Sequence, residues 1–265
     1  MVNGIFYPDE KDSLRSLLAS WGLKEDSGSP GRAILVPHGA WDLTGTIAGT
    51  AFAALQKNPA RDRKVRRVFL LGPCHGYDDE GIYLSESMSF QTPLGPLPVD
   101  MRLNLEFASC STLIKVNDIP HLSEHSLEVI LPLVKYCFPM AKIIPIIVKG
   151  ERAALISGLA RALRIIMEKY TEESLIVISS NISQNTDPDL ALSMAEEFSF
   201  LLSGNDTEAF LAGLAEGRIS PCGGALAGAL LGSGLFAGKG FSALGPLKSG
   251  REEGETIYYG AFAAG

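Results

Sequence analysis

The sequence predicts an α/β fold: a single-domain α/β sandwich in which helices cover both faces of a largely parallel or mixed central sheet. Short apolar runs that stop at Pro, Gly or polar residues alternate along the chain with longer segments whose apolar residues recur at helical spacing. No internal repeat, low-complexity segment or linker interrupts this alternation. We therefore expect residues 1–265 to form one domain.

The first half of the chain begins with an amphipathic helix in DEKDSLRSLLASWG, where Leu14, Leu18 and Trp21 share one face and Gly22 ends the helix. The polar loop KEDSGSPG follows it. Strands are predicted for RAILVP, RVFLLG and GIYLSE, and a helix of small residues, TGTIAGTAFAALQK, lies between the first two. The basic block RDRKVRR directly precedes the second strand, which indicates a solvated lead-in and not a nucleic-acid surface.

The second half continues the same alternation. After the turn QTPLGPLPVD, the segment DMRLNLEFA predicts a helix with Asp100 as its N-cap. The segment SEHSLEVILPLVKYCFP predicts a helix kinked at Pro132, and Pro145 within the strand AKIIPIIVKG indicates an edge position or a bulge. The remaining predicted elements are the strands STLIKVN, SLIVISS and ETIYYGAFAA and the helices at 151–170, 189–203, 206–216 and 222–236.

Composition limits the classes of function. A net charge of −7 and an isoelectric point of 5.2 argue against a nucleic-acid partner. The four cysteines lie far apart without a CxxC pair, and the first residues do not resemble a signal peptide, so we expect reduced thiols in a cytoplasmic protein. No uninterrupted apolar run reaches about 18 residues, which argues against a membrane partner. Protein partners and a homo-oligomer stay open.

Two of the four histidines follow predicted buried strands. His38 comes directly after RAILVP, His75 comes shortly after RVFLLG, and Asn181, Ser183 and Gln184 follow SLIVISS. Because ligands bind at the carboxyl ends of parallel strands in open α/β sheets, we expect these three loops to open onto one rim. Each imidazole could also be an ordinary loop residue, and two imidazoles alone do not specify a metal.

Two further residues carry reactive groups near predicted helix starts. Glu124 and His125 fall in the first turns of a predicted helix, where they form either a solvated turn or a proton-handling group at the rim. Cys222 begins another predicted helix, where the helix dipole favours a thiolate, although a small buried hydrophobe has the same signature. His121 is more typical of a loop residue, and Cys74 is not expected to share a metal with its neighbour His75.

Several segments resemble the Memo family, also called AmmeMemoRadiSam system protein B, in their order and approximate spacing over nearly the whole chain. They are GIFYP, ILVPHGAW, FLLGPCHG, TPLGPLPVD, EHSLEVILPLVKYCFP, KIIPIIV, LIVISSNIS and PCGG. The resemblance implies the fold of the class III extradiol non-haem iron dioxygenases. It also implies a site for one iron ion, with copper or zinc as alternatives, at His38, His75 and Cys222. His125 would then be the acid or base, with Gln184 positioning by hydrogen bond. The remaining matched positions would contact the substrate: Trp41, Glu124, Asn181 and Ser183.

The chain departs from the family pattern at positions that matter for chemistry. Asn181 and Gln184 stand where the family has Asp and His, and Gly76 stands where it has a second His. A carboxamide cannot transfer protons as an imidazole can. Two functions therefore stay open: a metal-dependent oxidoreductase of the extradiol dioxygenase type acting on an unknown small molecule, or a non-enzymatic, metal-free member that binds a small molecule or peptide.

Overall fold

The computed structural model describes residues 2–24, 32–56 and 65–265; most of the loop KEDSGSPG and the first four residues of the basic block lie outside them. The helices are α1 Lys11–Ser20, α2 Trp41–Leu55, α3 Met101–Ala108, α4 Ile119–Leu122, α5 Leu131–Cys137, α6 Ala153–Tyr170, α7 Pro188–Gly204, α8 Thr207–Ala215 and α9 Gly224–Gly232. The strands are β1 Arg32–Val36, β2 Arg67–Pro73, β3 Gly81–Leu84, β4 Ser89–Phe90, β5 Leu97–Pro98, β6 Ile114–Val116, β7 Lys142–Lys149, β8 Ser174–Ser179, β9 Ser183–Asn185, β10 Ser242–Ala243, β11 Lys248–Glu252, β12 Glu255–Tyr259 and β13 Phe262–Ala264.

The central sheet has eight strands in the order β10-β13-β1-β8-β2-β7-β3-β6. Its four middle strands, β1, β8, β2 and β7, are parallel, whereas β3 and β13 run antiparallel to their neighbours β7 and β1. The prediction of a largely parallel or mixed sheet is therefore confirmed. A smaller antiparallel sheet, β11-β12-β9, and a β4-β5 pair complete the strands.

Helices cover both faces of the central sheet, as predicted, and alternate strand residues supply two separate cores. Leu35 and its neighbours across the sheet pack with α3, α6, α7 and α9, whereas Ile34 packs on the opposite face with α1, α2 and α5. Because both faces are buried, the middle strands are apolar along their whole length instead of alternating. Polar side chains are consequently displaced to the strand ends, and this is where the site forms.

Pro145 lies in an interior strand, so its predicted edge position was wrong. It pairs with Leu70 of β2, and the ladder with β3 begins one residue later at Ile146. The carbonyl of Ile143 faces the β3 side, where it accepts from the backbone N–H of Asp100 at 3.0 Å. In a strand, the backbone N and O atoms of every second residue point to the same side. The nitrogen of Pro145 therefore also faces the β3 side, but at a position where the β3 ladder has not yet begun, so its missing N–H costs no hydrogen bond of that ladder.

Three other boundaries differ from the predictions. Pro132 lies in the first turn of α5 instead of kinking a longer helix, because proline has no N–H to lose there. The helix predicted at 222–236 is shorter, since α9 begins at Gly224 and ends at Gly232. The predicted closing strand divides at Gly260 and Ala261 into β12 and β13, which belong to different sheets.

None of the helices in the described part of the chain is long and apolar enough to span a bilayer. The apolar α9 has nine residues, eight of them buried, and it packs mainly against α6 and α8.

Candidate functional site

The carboxyl ends of β1, β8 and β2 meet at one edge of the sheet, as the sequence predicted. The last residue of β1, Val36, pairs with Ser179 at the end of β8, and its carbonyl accepts from the N–H of Ser180 at 2.8 Å. Two residues on, the N–H of His38 donates to the Asn181 Oδ1 at 3.3 Å. These bonds fix the loop after β1 against the loop after β8.

A third loop reaches this edge because Gly72 in β2 has no side chain. A Cβ there would lie 2.5 Å from the Ser126 Oγ, so glycine allows Ser126 to donate to the Pro73 carbonyl at 2.8 Å. Glu124 and His125 are thereby held in a loop that precedes a single 3-10 turn, Glu128–Ile130. Their predicted location in the first turns of a helix was therefore wrong, and of the two alternatives left open for them the structure places both residues beside His75.

Hydrogen bonding determines which nitrogen of His38 carries a proton. Its Nδ1 lies 2.9 Å from the Ser179 Oγ, and that hydroxyl donates its one hydrogen to the Ser126 carbonyl at 2.6 Å. The hydroxyl must therefore accept from an Nδ1–H. The Nε2 of this buried imidazole points away from the serines and lies 3.4 Å from the Cys222 Sγ.

Glu124 fixes His75 in a similar way but with a charged partner. Its carboxylate accepts from the N–H of His75 at 2.5 Å, from the His75 Nδ1 at 3.0 Å and from the N–H of Ser126 at 2.8 Å. Burial alone would raise the pKa of this carboxyl, but its bonds with His75 and Ser126 outweigh burial and lower the pKa to about 2. The Glu124 side chain is 2% exposed, so it meets these protein donors and almost no solvent.

Cys222 is placed opposite both imidazoles. The turn that carries it is closed by the N–H of Gly223, which donates to the Ser180 Oγ at 2.8 Å, and the N–H of Asn181 donates to the Cys222 Sγ at 3.0 Å. Burial would raise the pKa of this thiol, but the neighbouring His38 and His75 and the N–H of Asn181 lower the pKa to about 5. Cys222 is therefore a thiolate at neutral pH.

The pKa of His75 is shifted in the opposite direction to that of Cys222. Burial would lower its pKa, but hydrogen bonds to Cys222 and Glu124, together with their negative charges, raise the pKa to about 9. At neutral pH the metal-free site thus holds an imidazolium between a carboxylate and a thiolate.

His125 is the third imidazole of the site. Its ring stacks on that of His75 at a centroid distance of 5.1 Å, and Phe6 covers it at 5.4 Å. One ring nitrogen from each of His38, His75 and His125 lies within 4.8 Å of the others, so this triad could hold a metal ion. Burial, followed by the charges of His38 and His75, lowers the pKa of His125 to about 4, which keeps it neutral at pH 7.

A polar cavity of about 360 Å³ lies beside Cys222. Its lining residues are Glu151, Asn181, Ser183, Gln184, Ser220, Pro221, Cys222 and Glu255. The Gln184 Nε2 donates to the Glu255 carboxylate, and the buried Ser183 hydroxyl donates to the Ala191 carbonyl at 2.7 Å. Asn181, Ser183 and Gln184 are thus brought to one cavity with Cys222.

Two of the predicted substrate contacts lie elsewhere. Trp41 is 5% exposed, packs against Tyr7 and Trp21, and donates its Nε1–H to the Val129 carbonyl at 3.1 Å, so it belongs to the core. Glu124 lies beneath His75, where it is buried and accepts from three protein donors, and it is not among the residues that line the cavity. Both corrections have the same cause, because the polar atoms of these side chains are already bound inside the protein.

Sequence reasoning did not assign roles to four residues that shape the site. Ser179 and Ser126 orient His38, and the only signal for Ser179 was its position at the polar end of a buried strand. Glu151 and Glu255 supply the carboxylates of the cavity. Glu151 comes two residues after the end of β7, so the rule that placed His38 and His75 at strand ends could have found it.

Comparison with known proteins gives a consistent family. Residues 1–232 match the family described as Memo-like protein. A MEMO1 family protein of Nitrosopumilus maritimus is 28% identical over 243 residues, which cover 87% of this chain and 85% of the relative. A MEMO1 family protein of Sulfurisphaera tokodaii is 28% identical over 202 residues, which cover 71% and 69% of the two chains.

The fold recurs in a solved structure. The uncharacterized protein JW3007 from Escherichia coli K12 superposes with a TM-score of 0.61 at 13% identity, over 88% of this chain and 99% of that one. At this identity the likeness concerns the fold alone.

Proposed function

Because its first 232 residues match the family, the chain belongs to the Memo family, and from this premise we propose that it binds one iron or copper ion at His38, His75 and Cys222. The ion would serve redox chemistry of the dioxygenase type on a small molecule. The observation that carries the proposal is the 3.4 Å contact between the Cys222 Sγ and the Nε2 of His38, whose Nδ1–H is held by Ser179.

The donor set fits such an ion. The distance of 3.4 Å between the His38 Nε2 and the Cys222 Sγ supports a shared ion. Two ligands with bonds of about 2.0 and 2.3 Å at a tetrahedral angle lie about 3.5 Å apart. Glu124 holds the Nδ1–H of His75, so its Nε2 can exchange the proton shared with Cys222 for a metal.

The identity of the ion follows from the donor types. Two imidazoles with one anionic ligand suit non-haem iron, whereas a thiolate among them also favours copper or zinc. A bound iron or copper ion would supply a centre for one-electron transfer. Zinc is the alternative that would support binding without redox chemistry.

His125 is the side chain best suited to accept a proton from a bound molecule. It is neutral at pH 7, and stacking between His75 and Phe6 fixes its ring beside the proposed ligands. The carboxamide of Gln184 can only orient a ligand by hydrogen bonding, because it does not exchange protons at neutral pH.

A second candidate is a small-molecule or peptide binding protein without turnover. The observation that favours it is the bond from the Gln184 Nε2 to Glu255, because it places at the cavity an amide that cannot transfer protons. This candidate keeps the cavity but needs neither the metal nor His125.

Metal analysis tests the proposal. The protein would be purified without oxygen, loaded separately with iron, copper and zinc, and assayed for bound metal beside His38→Ala and Cys222→Ala. His121→Gln and Cys110→Ala are matched controls, because these side chains instead bind the Tyr83 and Glu106 carbonyls. We expect about one ion per chain in the parent and controls, and losses of 10- to 100-fold in affinity in the two site variants.

The outcomes separate the alternatives. No metal in the loaded parent, or equal retention in both site variants, would contradict the metal proposal. His125→Ala should keep the ion and lose oxygen uptake with a panel of catechols; loss of the ion would make His125 a ligand. A metal-loaded parent with no turnover on any redox substrate would favour the binding protein.

A further inference from the structure

The polar cavity beside Cys222 has an unusual charge pattern. Beside the Cys222 thiol, its ionisable lining groups are the carboxylates of Glu151 and Glu255, whereas the other lining side chains are neutral. No lysine, arginine or histidine is among the described residues that line it. A ligand that enters this cavity therefore meets two carboxylates.

Glu255 is oriented toward the cavity by its partner strand. It begins β12, which pairs with β9 so that Ile257 lies opposite Gln184. The Gln184 Nε2 donates to the Glu255 carboxylate, which holds that carboxylate at the cavity wall and leaves its remaining lone pairs available. The amide of Gln184 thus positions the carboxylate of Glu255.

Glu151 forms no hydrogen bond or ion pair with the residues that the structure describes. Gly150, with φ at +94°, turns the backbone after β7, and the bare Gly224 leaves room for the carboxylate, since a Cβ there would lie 3.1 Å from its Oε1. The neighbouring cations are engaged elsewhere: Lys149 donates to the His75 carbonyl and Arg152 pairs with Glu80. Partial burial raises the pKa of this carboxyl, with no compensating bond.

We propose that the small molecule taken by this site carries a protonated amine, which lies between Glu151 and Glu255 while the rest of the molecule reaches Cys222. This inference rests on the proposed function and names its substrate class. An ammonium group donates three hydrogens and gains charge-assisted bonds from both carboxylates. A carboxylate or phosphate ligand meets like charges there, which disfavours it even where its shape fits.

The thiolate in the cavity wall allows a direct test of this charge preference. Cys222 of the metal-free protein would be modified by two methanethiosulfonates of similar size, the cationic aminoethyl reagent and the anionic sulfonatoethyl reagent. The ratio of their rates would be normalised to that of free glutathione. Cys110→Ala simplifies the measurement by removing a second half-buried thiol, and Cys222→Ala gives the background.

We expect the parent to prefer the cationic reagent at Cys222 by about tenfold more than the double variant Glu151→Gln and Glu255→Gln does, because the two carboxylates line the same cavity as the thiol. Phenethylamine should protect Cys222 more strongly than 2-phenylethanol or phenylacetate. An unchanged ratio in the double variant, equal protection by all three compounds, or failure of both reagents to react would overturn the proposal.

Metal content is measured on the same samples, so that the two proposals can fail separately. The double glutamine variant should bind metal like the parent, since neither glutamate is among the proposed ligands. A charge preference without metal binding would reject only the metal proposal. Metal binding without a charge preference would reject only the amine.

Discussion

Replacing Glu124 by glutamine should remove the strongest charged contact of the site. The carboxylate accepts from the backbone N–H and the Nδ1 of His75 and from the N–H of Ser126. A carboxamide keeps one oxygen for these donors and turns an NH₂ group toward the others. Glu124→Gln therefore loses the charge pair with His75. It also turns an NH₂ group toward N–H groups that need an acceptor.

The magnitude and its pH dependence follow from the shifted pKa values. The pKa of Glu124 falls from 4.5 to about 2, and one unit corresponds to about 1.4 kcal/mol. Because His75 is 41% exposed and solvent screens the pair, we expect a loss of about 2 kcal/mol, below the unscreened value.

The sign is fixed by both partners. A carboxyl whose folded pKa is depressed contributes stability above its unfolded pKa of 4.5 and loses it as the pH falls through about 2. His75, whose folded pKa is raised to about 9, contributes below its unfolded pKa of 6.5 and loses that contribution as the pH rises through 9. The difference between parent and variant should be largest between pH 4.5 and 6.5 and decline on both sides.

Urea denaturation of the metal-free protein at about pH 3, 5.5 and 9 measures this difference, with the linear extrapolation applied at each pH. A chelator excludes metal from both proteins. Glu151→Gln is the control, because it removes a carboxylate for which the structure gives no hydrogen bond or ion pair in the described residues. A stability difference that is the same at all three pH values, or below about 0.5 kcal/mol at pH 5.5, would refute the charge-pair reasoning.

Three further outcomes are expected. Ser179→Ala should lower metal affinity by about 10- to 100-fold in competition with a chelator, because it frees the His38 ring; an unchanged affinity would contradict the orienting role. Gly72→Ala should lower the free energy of unfolding by about 1–3 kcal/mol in thermal or urea unfolding, since the new methyl would clash with Ser126. A variant as stable as the parent would show that the loop carrying Ser126 can shift without loss of stability. Burial would raise the pKa of Asp118, but its hydrogen bonds outweigh burial and lower it. Its contribution is therefore present above the unfolded pKa and lost in acid, so Asp118→Asn should destabilise at pH 7 and less at low pH in the same urea titration.

The rim of the site could be predicted because it depends on a short-range pattern. A buried parallel strand is a continuous apolar run, and the first polar residues after it must lie at the sheet edge. His38, His75 and Asn181 all follow such runs, and the structure brings all three together. The parallel arrangement of the middle strands is what makes this inference work.

The contacts that orient these groups could not be predicted, because they join residues that are distant in sequence. The Ser179 hydroxyl bonds to a carbonyl 53 positions earlier, and Glu124 bonds to His75 across 49 positions. From the sequence alone, Glu124 could equally be one partner of a buried charge pair or a solvated acid in the first turn of a helix. Only the approach of the Ser126 loop to Gly72 distinguishes the two cases.

Trp41 shows a different limit. Its neighbour His38 lies in the site, so the resemblance placed the tryptophan there as well. Gly45 and Gly49 leave space on α2 that the Trp21 ring fills, since a Cβ at either position would lie within 3 Å of it, and Trp41 joins that aromatic cluster. The side chain therefore contributes to the packing of α1 on α2.

The spacing of His38 and Cys222 along the chain has a consequence for the stability of the whole protein. The two residues lie 184 positions apart, so an ion that they share closes most of the polypeptide into a single loop. Such an ion acts as a reversible cross-link, present only in the folded chain. At a free metal concentration of about 1,000 times the dissociation constant it would add about 4 kcal/mol to the free energy of unfolding. The lifetime of the folded protein would then follow the metal supply of the cell.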